Sequence, residues 1–291
     1  MRAMIPLLLC PLLLCMSACA AADGTAGSEA PEPGAAAAGE AFSFPRSYDY
    51  MPDGALLVFS ATRDWRHDSG IAGASAFLSR HADATGRGLF TTEDARVFEQ
   101  DLAKFGTIVL NSPTGGVLDA AQQAAIERFV EGGGGLVALH AAGDSSLADV
   151  WPWWQEQLGT RFVSHPFDPQ FQTADVVALA QGHPVLDGLG EGFSLSDEWY
   201  TFTRVPDGEV VLLMGLDEST YSPVNKVYGV EDLRMGPEPS DHPIVWARCP
   251  GEGRVVYSAI GHKAETYDDP DHQRLLLNAL DWVRADGPGC P

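Results

Sequence analysis

The chain has 291 residues, 45% apolar and 20% charged, with seven tryptophans and thirteen phenylalanines, enough to bury one large core or two small ones. Forty acidic side chains against eighteen basic ones give a formal net charge of −22. That field repels phosphate backbones and anionic headgroups and excludes nucleic-acid binding by charge, and beyond the N-terminus no apolar run approaches the roughly 20 residues of a bilayer span.

Residues 1–18, MRAMIPLLLCPLLLCMSA, place one arginine before a short apolar stretch, as a secretory leader does. The stretch ends at Met16-Ser17-Ala18-Cys19, which resembles a bacterial lipobox with Met16 where that motif prefers leucine. Cleavage there makes Cys19 a lipidation site and predicts a protein of the bacterial cell envelope, touching the membrane only through its lipid anchor. An ordinary leader cut after an alanine between 18 and 22 is the alternative. Residues 19–45 are mostly Ala, Gly, Pro, Glu and Ser, and read as a flexible tether. A domain over 46–286 follows, with a short tail at 287–291. Cys10 and Cys15 leave with the leader, and Cys249 and Cys290 remain in an oxidising compartment where they can bridge.

Within the domain, the apolar run 55–60 predicts a strand buried on both faces. A helix over 69–83, a short strand at 88–91 and a buried strand at 107–111 come next. Asp119 caps a helix stopped by Gly132 to Gly135, and a fourth strand runs from Leu136 into His140. The middle carries a Trp-rich helix at 150–158, strands at 173–179 and 210–215, and a long loop over 221–240. Strands at 243–248 and 254–260 form a hairpin about Pro250-Gly251-Glu252-Gly253, and a helix over 275–283 closes the domain. This alternation predicts an α/β fold, a doubly wound, mostly parallel sheet with helices on both faces.

In such sheets ligands bind at the carboxyl ends of strands. His67, His140 and His262 each stand at or just past such an end, and His165 can reach the same rim. Neutral imidazoles with a carboxylate, Asp197 or Glu198, suit zinc or a similar divalent cation, but no HExxH or CxxC spacing is present. The alternative is that these histidines hydrogen-bond substrate and backbone without an ion. His140, His262, Glu198 and Asp197 are the catalytic candidates. Trp65, Arg66, Asp144, Trp199 and Tyr200 are candidates to contact substrate. His183 reads as a turn cap and His242 as the entry to a strand, while His81 and His272 fall on polar helix faces. Trp151, Trp153 and Trp154 could stack a sugar or pack over the sheet.

Taken together, Arg66-His67-Asp68, Gly133 to Ala142, Trp151-Pro152-Trp153-Trp154, Asp197-Glu198-Trp199-Tyr200, Asp241 to Trp246, and Gly253 to Ser258 leading into Gly261-His262 resemble the ThuA-like, trehalose-utilisation family. The resemblance spans about residues 55 to 284. It implies a flavodoxin-like fold similar to class I glutamine amidotransferases, whose nucleophilic Cys sits on a sharp turn after a central strand. Here that strand runs into Leu139-His140-Ala141, with no Cys or Ser at the turn, so glutaminase chemistry is not expected. The resemblance also implies carbohydrate metabolism beside enzymes that oxidise sugars to 3-keto derivatives. A 3-keto group acidifies the C2 proton, and its removal can expel the C1 substituent. The competing expectation is a non-catalytic surface lipoprotein that binds a glycan or a partner in the same pocket.

Overall fold

The computed structural model describes residues 48–227 and 231–284. The leader, Cys19, the tether and the tail with Cys290 lie outside the described residues. Cys249 is disulfide-bonded.

The apolar runs of the first half form alternating elements: β1 (Ala55–Phe59), α1 (Asp68–Thr85), β2 (Leu89–Thr92), β3 (Phe105–Asn111), α2 (Ala120–Glu131) and β4 (Gly135–Leu139). Every residue of β1 and β4 is buried, which is why they read as unbroken apolar runs. The α2 start follows the capping logic. Asp119 accepts the Ala121 and Gln122 amides, and the Gln122 side chain accepts the Asp119 amide.

The second half continues with α3 (Pro152–Leu158), β5 (Phe162–Ser164), β6 (Phe171–Ala178), β7 (Gly192–Glu198), β8 (Thr201–Phe202), β9 (Val211–Asp217), β10 (Val224–Asn225), β11 (Glu231–Asp232), β12 (Pro243–Arg248), β13 (Arg254–Ser258) and α4 (Pro270–Trp282). The Trp-rich helix is shorter than expected, because Trp151 ends a separate 3-10 turn and Pro152 opens α3. Helix α4 begins five residues earlier than its apolar pattern suggested, since Asp269 caps it and Pro270 fills its first turn. His272 faces inward there: it is fully buried, its Nδ1 bonded to the Thr266 carbonyl, and not on a solvated face.

Nine strands make one sheet, in the order β2-β1-β3-β4-β13-β12-β9-β6-β7. The first five are parallel, and from β13 onward each neighbour is antiparallel. The sheet is thus mixed, with a parallel half and an antiparallel half, because the second half of the chain returns through hairpins where a helical crossover was expected. Two reversals beyond β9, β7 again points the same way as β1, β4 and β13. All four strands therefore end on one edge. A flat sheet would hold β7 about 24 Å from β4 across five strand spacings. Glu198 nevertheless lies 3.4 Å from His140, so the antiparallel half folds over the rim of the parallel half.

Candidate metal centre

Four strand ends deliver the site. His67 follows β1 and caps α1, its carbonyl accepting the Ile71 amide while its ring makes no capping bond. The first turn of α1 lies hard against the loop after β13. A Cβ on Gly70 would stand 2.2 Å from the Gly261 carbonyl oxygen, so only glycine allows His67 to approach His262 this closely.

His140 follows β4 with φ 44°, a left-handed conformation that costs a non-glycine residue about 1–3 kcal/mol. Its surroundings hold it there. The Tyr257 hydroxyl donates to the His140 carbonyl at 2.9 Å, and the ring Nδ1 donates to the Ala259 carbonyl at 2.7 Å. With its proton on Nδ1, the neutral imidazole turns the Nε2 lone pair toward the centre.

Glu198 ends β7 and His262 follows β13. Asp197, fully buried, ties these two ends together. Its Oδ2 accepts the Gly261 amide at 2.7 Å, and its Oδ1 accepts the Glu198 amide at 2.9 Å and the His262 amide at 3.2 Å. Its carboxylate is thereby spent on backbone groups. It positions the centre and does not face into it.

One ligand atom from each of His67, His140, Glu198 and His262 lies within 4.8 Å of the others. Glu198 Oε2 is 3.1 Å from His262 Nδ1 and 3.4 Å from His140 Nε2, and these two nitrogens are 3.2 Å apart. His67 Nδ1 and Glu198 Oε2 are buried without a hydrogen-bond partner. A buried polar atom without a hydrogen bond, such as His67 Nδ1, is costly to leave unpaired. Three imidazoles and a carboxylate are a donor set that fits zinc or a similar divalent ion.

The electrostatics agree with that chemistry. Burial, with the neighbouring imidazoles His140 and His262, pushes the His67 pKa down to about 3, so its ring stays neutral. Burial pushes the Glu198 carboxyl up, but His140 and His262 beside it hold it well below the usual carboxylate range. Burial opposes charge on His140 too, yet Glu198 and then Asp197 raise its pKa overall. A buried carboxylate calls for a positive partner. Either a proton on His140 or a bound cation could supply it.

His165 stands outside the four. Its Nε2 is 3.2 Å from Glu198 Oε1, an oxygen that also accepts Gln170 Nε2 at 2.6 Å. Burial lowers its pKa, partly offset by Glu198. Among the residues expected to touch substrate, Trp65 is 75% exposed. Trp199 is buried, with its indole N–H on the Gln172 carbonyl, and Tyr200 is buried with its ring 4.4 Å from that of His140. Tyr200 thus walls the centre, and neither ring offers an open face. Arg66 is held by Asp68 at 2.7 Å and Glu93 at 2.6 Å, and Asp144 accepts the Ser146 amide and hydroxyl. Among the described residues, two cavities lie away from the centre. One of about 1040 Å³ surrounds Arg248 at the opposite edge of the sheet, and one of about 910 Å³ lies beside Thr62, Glu93 and Asp119.

Sequence reasoning did not single out Gln170, Phe167, Phe171 or Lys263. Only their closeness to His165 and His262 along the chain could have pointed to them.

The model of the family described as "ThuA: Trehalose utilisation" matches residues 55–283. A crystal structure described as a ThuA-like protein from Bacteroides uniformis is similar with a TM-score of 0.65 and 27% identity, covering 83% of this chain and 95% of its own. Another, from Parabacteroides merdae, has a TM-score of 0.61 and 17% identity, covering 81% and 91%, and speaks to the fold alone. No curated protein matches the sequence.

Proposed function

The chain belongs to the ThuA, or trehalose-utilisation, family, and from that premise we propose that it is a metal-dependent enzyme that cleaves a 3-keto-glycoside by elimination at the His67–His140–Glu198–His262 centre. The observation that carries this reading is the convergence of four potential ligand atoms within 4.8 Å, from three imidazoles and one buried carboxylate. The family's name supplies the substrate class, carbohydrate. When bound, a divalent ion would polarise the sugar carbonyl and stabilise charge growing on its oxygen.

The chain's own groups move the proton. A base at the rim, the partly open His165 beside Glu198 Oε1 or a neighbouring carboxylate, takes the proton from C2. The C2–H electron pair passes into the enolate of the C3 ketone. As the enolate collapses, C1–C2 becomes a double bond and the C1–O bond breaks. The departing oxygen takes a proton, giving an alcohol and an unsaturated keto-sugar, with no oxidant or reductant consumed.

The position of His140 supports kinship with the glutamine amidotransferase-like scaffold. A residue with φ 44° directly after a central strand stands where those enzymes carry their nucleophilic Cys. An imidazole there makes a metal ligand instead of a thioester. The same proposal places the domain in the bacterial envelope, lipid-anchored through Cys19.

The deciding experiment compares purified wild type with His140→Ala for bound metal and for release of the C1 substituent from a 3-keto-glycoside. We expect wild type to hold metal and turn over, and the variant to do neither. If wild type binds glycan but holds no metal and releases nothing, a binding module replaces the enzyme.

A further inference from the structure

Among the described residues of the centre, His262 and His165 are the more open to solvent. The side chains of His140 and Glu198 are 0% and 1% exposed, whereas those of His262 and His165 are 16% and 13% exposed. Each of these two open imidazoles is flanked by a phenylalanine. Phe171 meets the His262 ring edge-on, with centroids 5.1 Å apart, and Phe167 lies 4.2 Å from the His165 ring. Both phenylalanines are exposed, in a chain whose Trp151, Trp154, Trp199 and Trp246 are all fully buried. Leaving such rings in water forgoes burial energy that the core collects elsewhere.

Phe171 is placed by the sheet itself. In the β6–β7 register it stands directly opposite Glu198, and cross-strand partners project from the same face. Lys263, next in the chain after His262, holds its ammonium 5.3 Å from the Phe171 ring centroid and 3.4 Å from Ser196 Oγ. It is one of three lysines in a chain with forty acidic residues, and among the described residues no carboxylate lies within ion-pair distance of it. Lys104, by contrast, is bound to Asp53 at 2.6 Å.

We infer that Phe171 and Lys263 form the subsite that holds the sugar ring beside the His–Glu centre, the C–H face of the ring on Phe171 and a ring substituent oxygen accepting from the Lys263 ammonium. The inference rests on the carbohydrate reading above and adds the residues that position the substrate. Trp199 and Tyr200, the aromatic residues first expected in this role, are buried and cannot perform it. An exposed aromatic face with one directed donor is the usual composition of a small polar ligand's site. Phe167 lies beside the other open imidazole, His165.

The test uses the full protein and four variants: Phe171→Ala, Phe171→Trp, Lys263→Gln and Lys263→Arg. Each is measured for bound metal, for saturation-transfer NMR contact with a methyl glucoside, and for KM and kcat on a 3-keto-glycoside. Phe171→Ala and Lys263→Gln should keep their metal and kcat while KM rises about tenfold, the loss of one good contact. Phe171→Trp and Lys263→Arg should restore binding, which a purely structural role in the rim would not require. Absence of metal and turnover in wild type would sink the enzyme reading, yet loss of glucoside contact in Phe171→Ala would still support the subsite. Unchanged glucoside contact and KM in both Phe171→Ala and Lys263→Gln overturns it, whatever the turnover.

Discussion

Asp197→Asn is the sharpest perturbation of the centre that leaves every proposed ligand in place. The side chain keeps its shape but turns one acceptor oxygen into an NH2 donor. In the native protein Oδ2 receives Gly261 N–H at 2.7 Å, while Oδ1 receives the Glu198 and His262 amides. Whichever way the amide lies, a donor faces at least one of these donors inside a fully buried site. Losing one hydrogen bond to a charged acceptor costs about 1.5–3 kcal/mol, and the stranded Gly261 N–H adds its desolvation penalty, giving about 3 kcal/mol in all. For a domain of this size that lowers Tm by about 6–12 °C. Because the same carboxylate fixes the backbone of both Glu198 and His262, metal affinity should fall about 10- to 100-fold as well. Thermal unfolding without metal, followed by zinc titration, reads the two effects separately. A variant within about 0.5 kcal/mol of wild type, binding zinc equally well, would refute the positioning role argued for Asp197.

Three further outcomes follow from the same geometry. His140 is raised above its ordinary 6.5 because, although burial lowers it, Glu198 raises it more; the pair therefore stabilises the metal-free fold fully below that value and loses its contribution as pH climbs through the folded pKa. Zinc needs the ring proton-free, so the gap in Tm with and without zinc should widen as pH rises above 6.5, and a constant gap counts against the pairing. Gly70→Ala must push α1 off the Gly261 carbonyl, so we expect a loss of at least about 2 kcal/mol in urea unfolding together with weakened metal binding; an unperturbed variant would show that the close approach is not needed. Cys19→Ser should lose lipid labelling and leave the detergent phase on partitioning, and identical partitioning of both forms would remove the anchor.

Much of the centre is legible in the sequence because it depends on local rules. His67, His140 and His262 each follow an unbroken apolar run, and parallel strands must end on a common edge. That argument needs only β1, β4 and β13, whose burial on both faces makes them conspicuous. Glu198 is harder. Its strand, Gly192–Glu198, is an edge strand with the polar alternation Phe-Ser-Leu-Ser-Asp-Glu, too hydrophilic to stand out. Its meeting with His140 depends on the antiparallel half folding over the rim, a long-range fact that no local pattern encodes. Asp197 and Glu198 are adjacent and alike in chemistry, and only the register decides which one turns inward. Phe171 was hidden for the same reason: its relation to the centre runs through its cross-strand partner and not through its own neighbours.

The four proposed ligand residues are spread from position 67 to position 262, one at the end of each of four strands. None lies close in sequence to another, so no fragment of the chain can present two of them together before the sheet is built and its antiparallel half has closed. A cation therefore has nothing to grip in the unfolded chain or in an early, locally ordered transition state. Its binding energy belongs to the finished fold, and in kinetic terms it falls almost wholly on the unfolding limb, slowing escape from the native state while leaving the rate of folding where it was. The centre would act as a latch on a completed structure and not as a nucleus for building it.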